Sequence, residues 1–260
     1  MLKSHPDKLL KDHLTHVYNK AQELFEEKNI SYPDNIPLNH QKGHDILFFA
    51  TLFHDFGKST QYFQDYLVNG KKQEKSLKEH GKISALVGFD AYLKKYPEDK
   101  LGAVFVYLLI LNHHLNLGNF KADLDKISYE EETDLFLKQF KAIDSKKLSS
   151  IYAPYNIEIN LNQWDKTYLQ KTIKAINRAY RVLGQKNSLF YYFYFLVLFS
   201  ILIFSDKEDA IFQLEENKIK HSLPALDYNC VKQETDQFST QTLLNQSRKT
   251  LFKIASFNII

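Results

Sequence analysis

The sequence predicts an all-α fold. Its 260 residues include only 8 glycines and 6 prolines, about 5% together against roughly 12% in average usage, so turns are scarce. Apolar residues recur at three- and four-residue steps through several long segments, and other segments are apolar nearly all round, as helices in a core are. β-Sandwiches and collagen-like chains are excluded. The length suffices for one large domain or two small ones, with a sizeable core.

The first helix is expected from about Asp7 to Glu27, where Leu10, Leu14, Val17, Ala21 and Leu24 form a stripe. On a wheel of about 100° per residue, His13 lies about 60° from the centre of that stripe and His16 about 120° away, so His13 points inward and His16 outward. A second, buried helix is expected from about Asp45 to Phe56, stopped by Gly57. The Lys-rich stretch NGKKQEKSLKEHGK leads into a third, running from about Leu77 to Lys95 with His80 on the side of Ile83 and Val87. The fourth, from about Leu101, is apolar throughout, ends on His113 and His114, and stops near Leu115 to Gly118. The more polar region from Asn119 to Lys186 carries helical patterns around Thr133 to Ala142 and Asp165 to Val182. An apolar helix then ends at Asp206, and the polar tail holds a last amphipathic stretch from about Thr240 to Ile254.

Net charge is +3, too mild to announce a nucleic-acid partner by itself. The aromatic residues (16 Tyr, 20 Phe, 1 Trp) read first as core. Cys230 stands alone, and together with the lack of a charged-then-apolar leader this points to a cytoplasmic protein. Ser188 to Ser205 carries no charge and reaches the length of a membrane span. The close charges Lys186, Asp206 and Lys207, and tyrosines confined to its first half, favour a buried central helix and no membrane.

Histidine and aspartate recur in or at the ends of these apolar helices: His13, His54, Asp55, His80, His113, His114 and Asp206. A carboxylate in the last turn of an apolar helix meets the negative end of the macrodipole, and burying it unpaired costs several kcal/mol. A divalent cation shared with imidazoles answers both Asp55 and Asp206. Mixed His/Asp ligation suits Mn, Fe, Co, Ni or Zn, with Mg weakly served. His5, His40, His44 and His221 lie in polar or loop contexts and read as surface residues.

LFHDFGKSTQYFQDYL resembles the HD motif of the CRISPR-associated HD nucleases, where His-Asp is followed by Gly-Lys and then Phe-Gln. An early helical His, a lone His 25 residues after Asp55 and a His-His pair 33 residues later extend the resemblance. It covers roughly residues 8 to 210, thinly between 120 and 185. Gly81, Leu115 and the SDKED ending depart from the family's usual pattern without removing a ligand.

The resemblance implies an HD-domain helical bundle with a metal site between buried helices. It implies a nuclease domain over 1–215, with 120–185 as a variable helical insertion, and a tail over 216–260 that resembles, from Leu243, the linker toward a helicase. His13, His54, Asp55 and Asp206 would hold one divalent ion. Asp55 would bridge to a second held by His80, His113 and His114, with Mn, Co, Ni or Fe favoured over Mg or Zn. Asp209 competes with Asp206 for the last position. By position, Lys58, one turn beyond Asp55, would neutralise a phosphate oxygen or a metal-bound hydroxide, and Lys71, Lys72, Lys75, Lys78 and Lys82 near His80 would follow a DNA backbone, a solvated side chain being the alternative for each. The implied activity is metal-dependent hydrolysis of single-stranded DNA in type I CRISPR interference. Its implied partners are a CRISPR helicase and a guide-RNA surveillance complex; no motor motif lies in this chain. The alternatives are an HD phosphohydrolase of small nucleotides and a non-catalytic HD module.

Overall fold

The computed structural model describes residues 1–28, 30–32, 34, 36–114, 131–184 and 189–211. Contacts divide the chain into Met1–Leu214 and Glu215–Ile260, and the described residues all belong to the first unit. The expected helix over Thr240 to Ile254, the linker from Leu243, His221, Leu115 and Gly118 lie outside them.

The all-α expectation holds, apart from one small hairpin. Strands β1 (Lys3–His5) and β2 (Lys8–Leu9) pair antiparallel through the Pro6-Asp7 turn. Helix α1 (Leu10–Glu26) therefore begins three residues later than expected. It buries Leu10, His13, Leu14, Val17, Ala21 and Phe25, with Phe25 rather than Leu24 closing the stripe. Helix α2 (His40–Phe53) begins earlier than Asp45, because the Asn39 side chain caps it by accepting from the Lys42 N–H at 2.8 Å. A 3₁₀ turn (Phe56–Ser59) leads into α3 (Gln61–Asn69), capped by Thr60 and closed by Gly70 in the left-handed region at φ 62°.

The third helix was expected to be continuous from Leu77, and it is broken. A single turn, α4 (Lys75–Lys78), precedes extended Glu79, and α5 (Gly81–Lys95) starts only after His80. The cause lies far along the chain in α7 (Glu131–Lys141), whose Gln139 amide donates to the carbonyls of Leu77 (3.0 Å) and Glu79 (2.8 Å). His80 accordingly sits at the start of α5 and not on a helix face.

Helix α6 (Lys100–Asn112) is buried at every residue from Leu101 to Asn112 and forms the centre of the core. It packs against α2, α5, α9 (Lys166–Gly184) and α10 (Leu189–Ile211), while α1 lies on α2 and α10. Helix α8 (Ser145–Tyr152) was not expected; Asp144 caps it, and the Tyr152 hydroxyl donates to the Leu52 carbonyl near the end of α2. Helix α10 contains the one described segment long and apolar enough to cross a membrane, Phe190–Asp209. It is not buried all round as expected. Tyr191, Tyr194, Phe195, Leu198, Ile201 and Leu202 face the core, whereas Tyr192, Phe193 and Phe204 are about half exposed.

Candidate metal centre

Three helix ends and two helix beginnings converge. His54 and Asp55 follow α2, His113 and His114 follow α6, and Asp206 and Asp209 occupy the last turns of α10. His13 comes from the first turn of α1, and His80 from the start of α5. Helix C-termini attract cations, so the meeting of α2, α6 and α10 creates a negative focus even before the carboxylates are counted.

Two ligand groups share Asp55: His13, His54, Asp55 and Asp206 form one, and Asp55, His80, His113 and His114 the other, each with its donor atoms within 4.8 Å of one another. His13 Nε2 lies 3.0 Å from Asp55 Oδ2 and 3.4 Å from Asp206 Oδ1, and His54 Nε2 lies 3.5 Å from that same Asp206 oxygen. On the other side of Asp55, Oδ1 is 3.2 Å from His80 Nε2 and 3.6 Å from His113 Nε2.

The orientation of the rings tests whether a cation fits. His54 Nδ1 donates to the Thr51 carbonyl at 2.7 Å and His113 Nδ1 to the Ile110 carbonyl at 2.5 Å. These bonds place the proton on Nδ1 and leave the Nε2 lone pairs facing the centre. Ring nitrogens then oppose one another, His13 Nε2 to His54 Nε2 at 3.2 Å and His80 Nε2 to His114 Nε2 at 2.9 Å. Asp55 Oδ2 is paired with the Lys58 ammonium at 2.6 Å, whereas Asp55 Oδ1 and His113 Nε2 are buried without a hydrogen bond, an arrangement that a cation shared among these donors relieves. The residues fit divalent transition ions.

Electrostatics agree. Burial alone would push the Asp55 carboxyl up, but Lys58, whose Nζ is 2.6 Å away, and His54 hold it well below the usual carboxylate range. Burial alone would lower His13, yet its bonds to Asp206, Asp209 and Asp55 raise it to about 10, so these carboxylates favour positive charge at this position, which a bound cation would supply in place of the ring's second proton. His114 moves the other way, to about 3, through burial and then the neighbouring His113 and His80, which keeps its imidazole neutral and available as a donor.

Asp206 and Asp209, alternatives in the sequence, do different things. Asp206 faces the centre, while Asp209 accepts from His13 Nδ1 at 2.6 Å, pairs with Lys8 and lies 3.1 Å from His16 Nδ1. Asp209 thus fixes the His13 ring from behind, as carboxylates orient metal-binding histidines. Asp209→Asn is expected to weaken Mn²⁺ binding about 10- to 100-fold while leaving the helical signal unchanged. Equilibrium dialysis checks this, and an unchanged dissociation constant would remove that role.

Other expectations need correction. His5 is not a detached surface residue: its ring centroid is 5.3 Å from that of His13, and burial, then Lys58 and His13, lower its pKa. Gln64, the Gln of the Phe-Gln pair, brings it there, donating to the carbonyls of Lys3 (2.8 Å) and Lys58 (2.7 Å) and accepting from the Lys3 N–H (3.0 Å). His40 and His44 are not without partners either; both converge on Glu26.

Lys58 is buried against Asp55 rather than solvated. Lys72 and Lys75 are exposed, Lys71 pairs with Asp65 at 3.2 Å, and Lys82 pairs with Glu132 of α7. Lys78 lies over the exposed Tyr66 ring, 3.8 Å from its centroid. From Tyr66 the ring contacts continue through Phe63 (6.3 Å) to His80 (5.4 Å).

Among solved structures, the chain is similar to the CRISPR-associated Cas3 HD domain protein of Methanocaldococcus jannaschii, at 16% identity and a TM-score of 0.44, over 79% of this chain and 100% of that one. No protein-family model matches the chain, and no curated protein does.

Proposed function

We propose that this chain is a metal-dependent nuclease of the CRISPR-associated HD kind, hydrolysing phosphodiester bonds of single-stranded DNA in type I interference, in the cytoplasm. A CRISPR helicase and a guide-RNA surveillance complex would be its partners. The observation that carries the reading is Asp55, a buried carboxylate common to two ligand groups of mixed imidazole and carboxylate character. That donor set favours Mn, Co, Ni or Fe over Mg. A bound pair of such ions supplies Lewis acidity toward a phosphate oxygen and activates water near neutral pH.

The protein's own contributions follow from position. His54, His113 and His13 present Nε2 because Thr51, Ile110 and Asp209 hold their other nitrogens. Lys58 reaches any phosphate oxygen brought to Asp55, since its ammonium is already 2.6 Å from Oδ2. Lys58→Met is expected to lower turnover about 10²- to 10³-fold with metal content unchanged, as the loss of one preorganised charge does. Turnover equal to wild type would return Lys58 to a structural role.

Support for a polymer substrate comes from outside the centre. The Tyr66–Phe63–His80 ring contacts, with Lys78 over the Tyr66 ring, offer stacking surface and positive charge leading to one ligand group. The test is cleavage of circular single-stranded DNA by the purified chain with Mn, Co, Ni, Mg or chelator, beside a panel of nucleoside phosphates. The proposal expects transition-metal-dependent nicking of the circle. Hydrolysis of nucleotides with intact circles would replace it with the small-nucleotide reading.

A further inference from the structure

A second cluster of donors stands apart from this centre, where α1 ends and α2 begins. His40 and His44 are one helical turn apart on α2, and both direct Nε2 at the Glu26 carboxylate of α1: His40 lies 3.3 Å from Oε2, and His44 2.7 Å from Oε1. The three donor atoms lie within 4.8 Å of one another.

Gln22, one turn before Glu26, determines what His44 offers. Its Nε2 donates to the His44 carbonyl at 3.4 Å, so its amide oxygen is the atom turned to His44 Nδ1, where it accepts the ring N–H. With the proton on Nδ1, a neutral His44 aims its Nε2 lone pair at a carboxylate oxygen, and two acceptors meet. A cation between them relieves this. The Gln–His arrangement is also the outer-shell support that metal-ligating histidines use. Phe25 reinforces it, stacking on His40 at 4.8 Å and meeting His44 edge-on at 5.0 Å, which limits the rotation of both rings.

We propose that Glu26, His40 and His44 form a surface site for a borderline transition-metal dication of the Zn²⁺, Co²⁺ or Ni²⁺ class, which clamps the end of α1 to the start of α2. Two imidazoles and one carboxylate leave open positions for water, and the partly exposed rings give an entry path. Mg²⁺, which prefers oxygen ligands, is a poor occupant. The inference is independent of the function proposed for the buried centre.

The experiment is Zn²⁺ binding to the full chain by equilibrium dialysis, with Mg²⁺ as the control ion, comparing wild type with His40→Ala and Glu26→Gln. Glu26 is exposed and His40 partly so, and thermal melts in chelator confirm that the variants fold. The expected result is loss of one Zn²⁺ equivalent per chain in each variant, with the buried equivalents kept and the wild-type rise in Tm on adding Zn²⁺ reduced. Equal Zn²⁺ stoichiometry in wild type and variants would overturn the proposal. So would a Zn²⁺ equivalent that His40→Ala removes and Mg²⁺ displaces at equal concentration. Failure of the buried centre would instead leave this equivalent in place and remove the others.

Discussion

Asp55→Ala should abolish metal-dependent cleavage, lowering it on the order of 10³-fold or more, because the one side chain common to both ligand groups is gone. Bound metal should fall in parallel. The change also leaves the Lys58 ammonium buried beside a space, at 6% exposure, and an uncompensated buried charge destabilises by itself. Asp55→Asn separates the two effects. It keeps the volume and an acceptor oxygen but not the negative charge, so it should retain a cooperative melt while cleavage is still lost. Metal-replete Asp55→Asn cleaving at the wild-type rate would remove Asp55 from the centre. The apolar core beneath, Phe53, Leu108 and Ile110, is untouched by either change.

Gly57→Ala should be the most damaging single-methyl change near the centre. A Cβ there would stand 2.7 Å from the His80 carbonyl oxygen and 2.8 Å from its Cα, with Ile83 Cγ2 at 2.6 Å. Two of these neighbours are backbone, so the start of α5 must move. Overpacking of this kind costs about 1–3 kcal/mol, or roughly 2–4 °C in Tm per kcal/mol for a domain of this size. The Gly57 N–H also donates to Ser84 Oγ at 2.9 Å, tying the same two segments together. His80 would be carried away from Asp55 and His114, so the expected outcome is loss of the ion held by His80, His113 and His114, with the other retained. Metal titration followed by melting measures both. A wild-type Tm with full metal content would show that the close approach carries no constraint.

The residues most legible in the sequence were those whose polarity conflicted with their surroundings. His13 on an apolar stripe, His54-Asp55 and His113-His114 after fully apolar helices, and Asp206 after an uncharged run each posed a burial problem visible without coordinates. The structure brings all of them together. What was not legible depended on contacts far apart in sequence. The break before His80 comes from Gln139, 60 residues beyond the Glu79 carbonyl that it binds. The N-terminal hairpin, and with it His5, is fixed by Gln64, 61 residues from Lys3. Asp206 and Asp209 are one helical turn apart on the same helix, so periodicity could not assign one to the centre and the other to the rear of His13; only the position of α1 against α10 does. The exposed side of α10 was missed because a run apolar all round gives no direction. Exposed Tyr192, Phe193 and Phe204 are compositionally the same as buried Tyr191, Tyr194 and Phe195.

Anomalous diffraction at the manganese edge, from crystals of the full chain grown with Mn²⁺, tests the central claim most directly. Two peaks flanking Asp55, one among His13, His54 and Asp206 and the other among His80, His113 and His114, are the expected result, and both should be absent from Asp55→Asn crystals. Wild-type crystals with no peak within coordinating distance of Asp55, while the same protein cuts single-stranded DNA in Mn²⁺, would contradict the account.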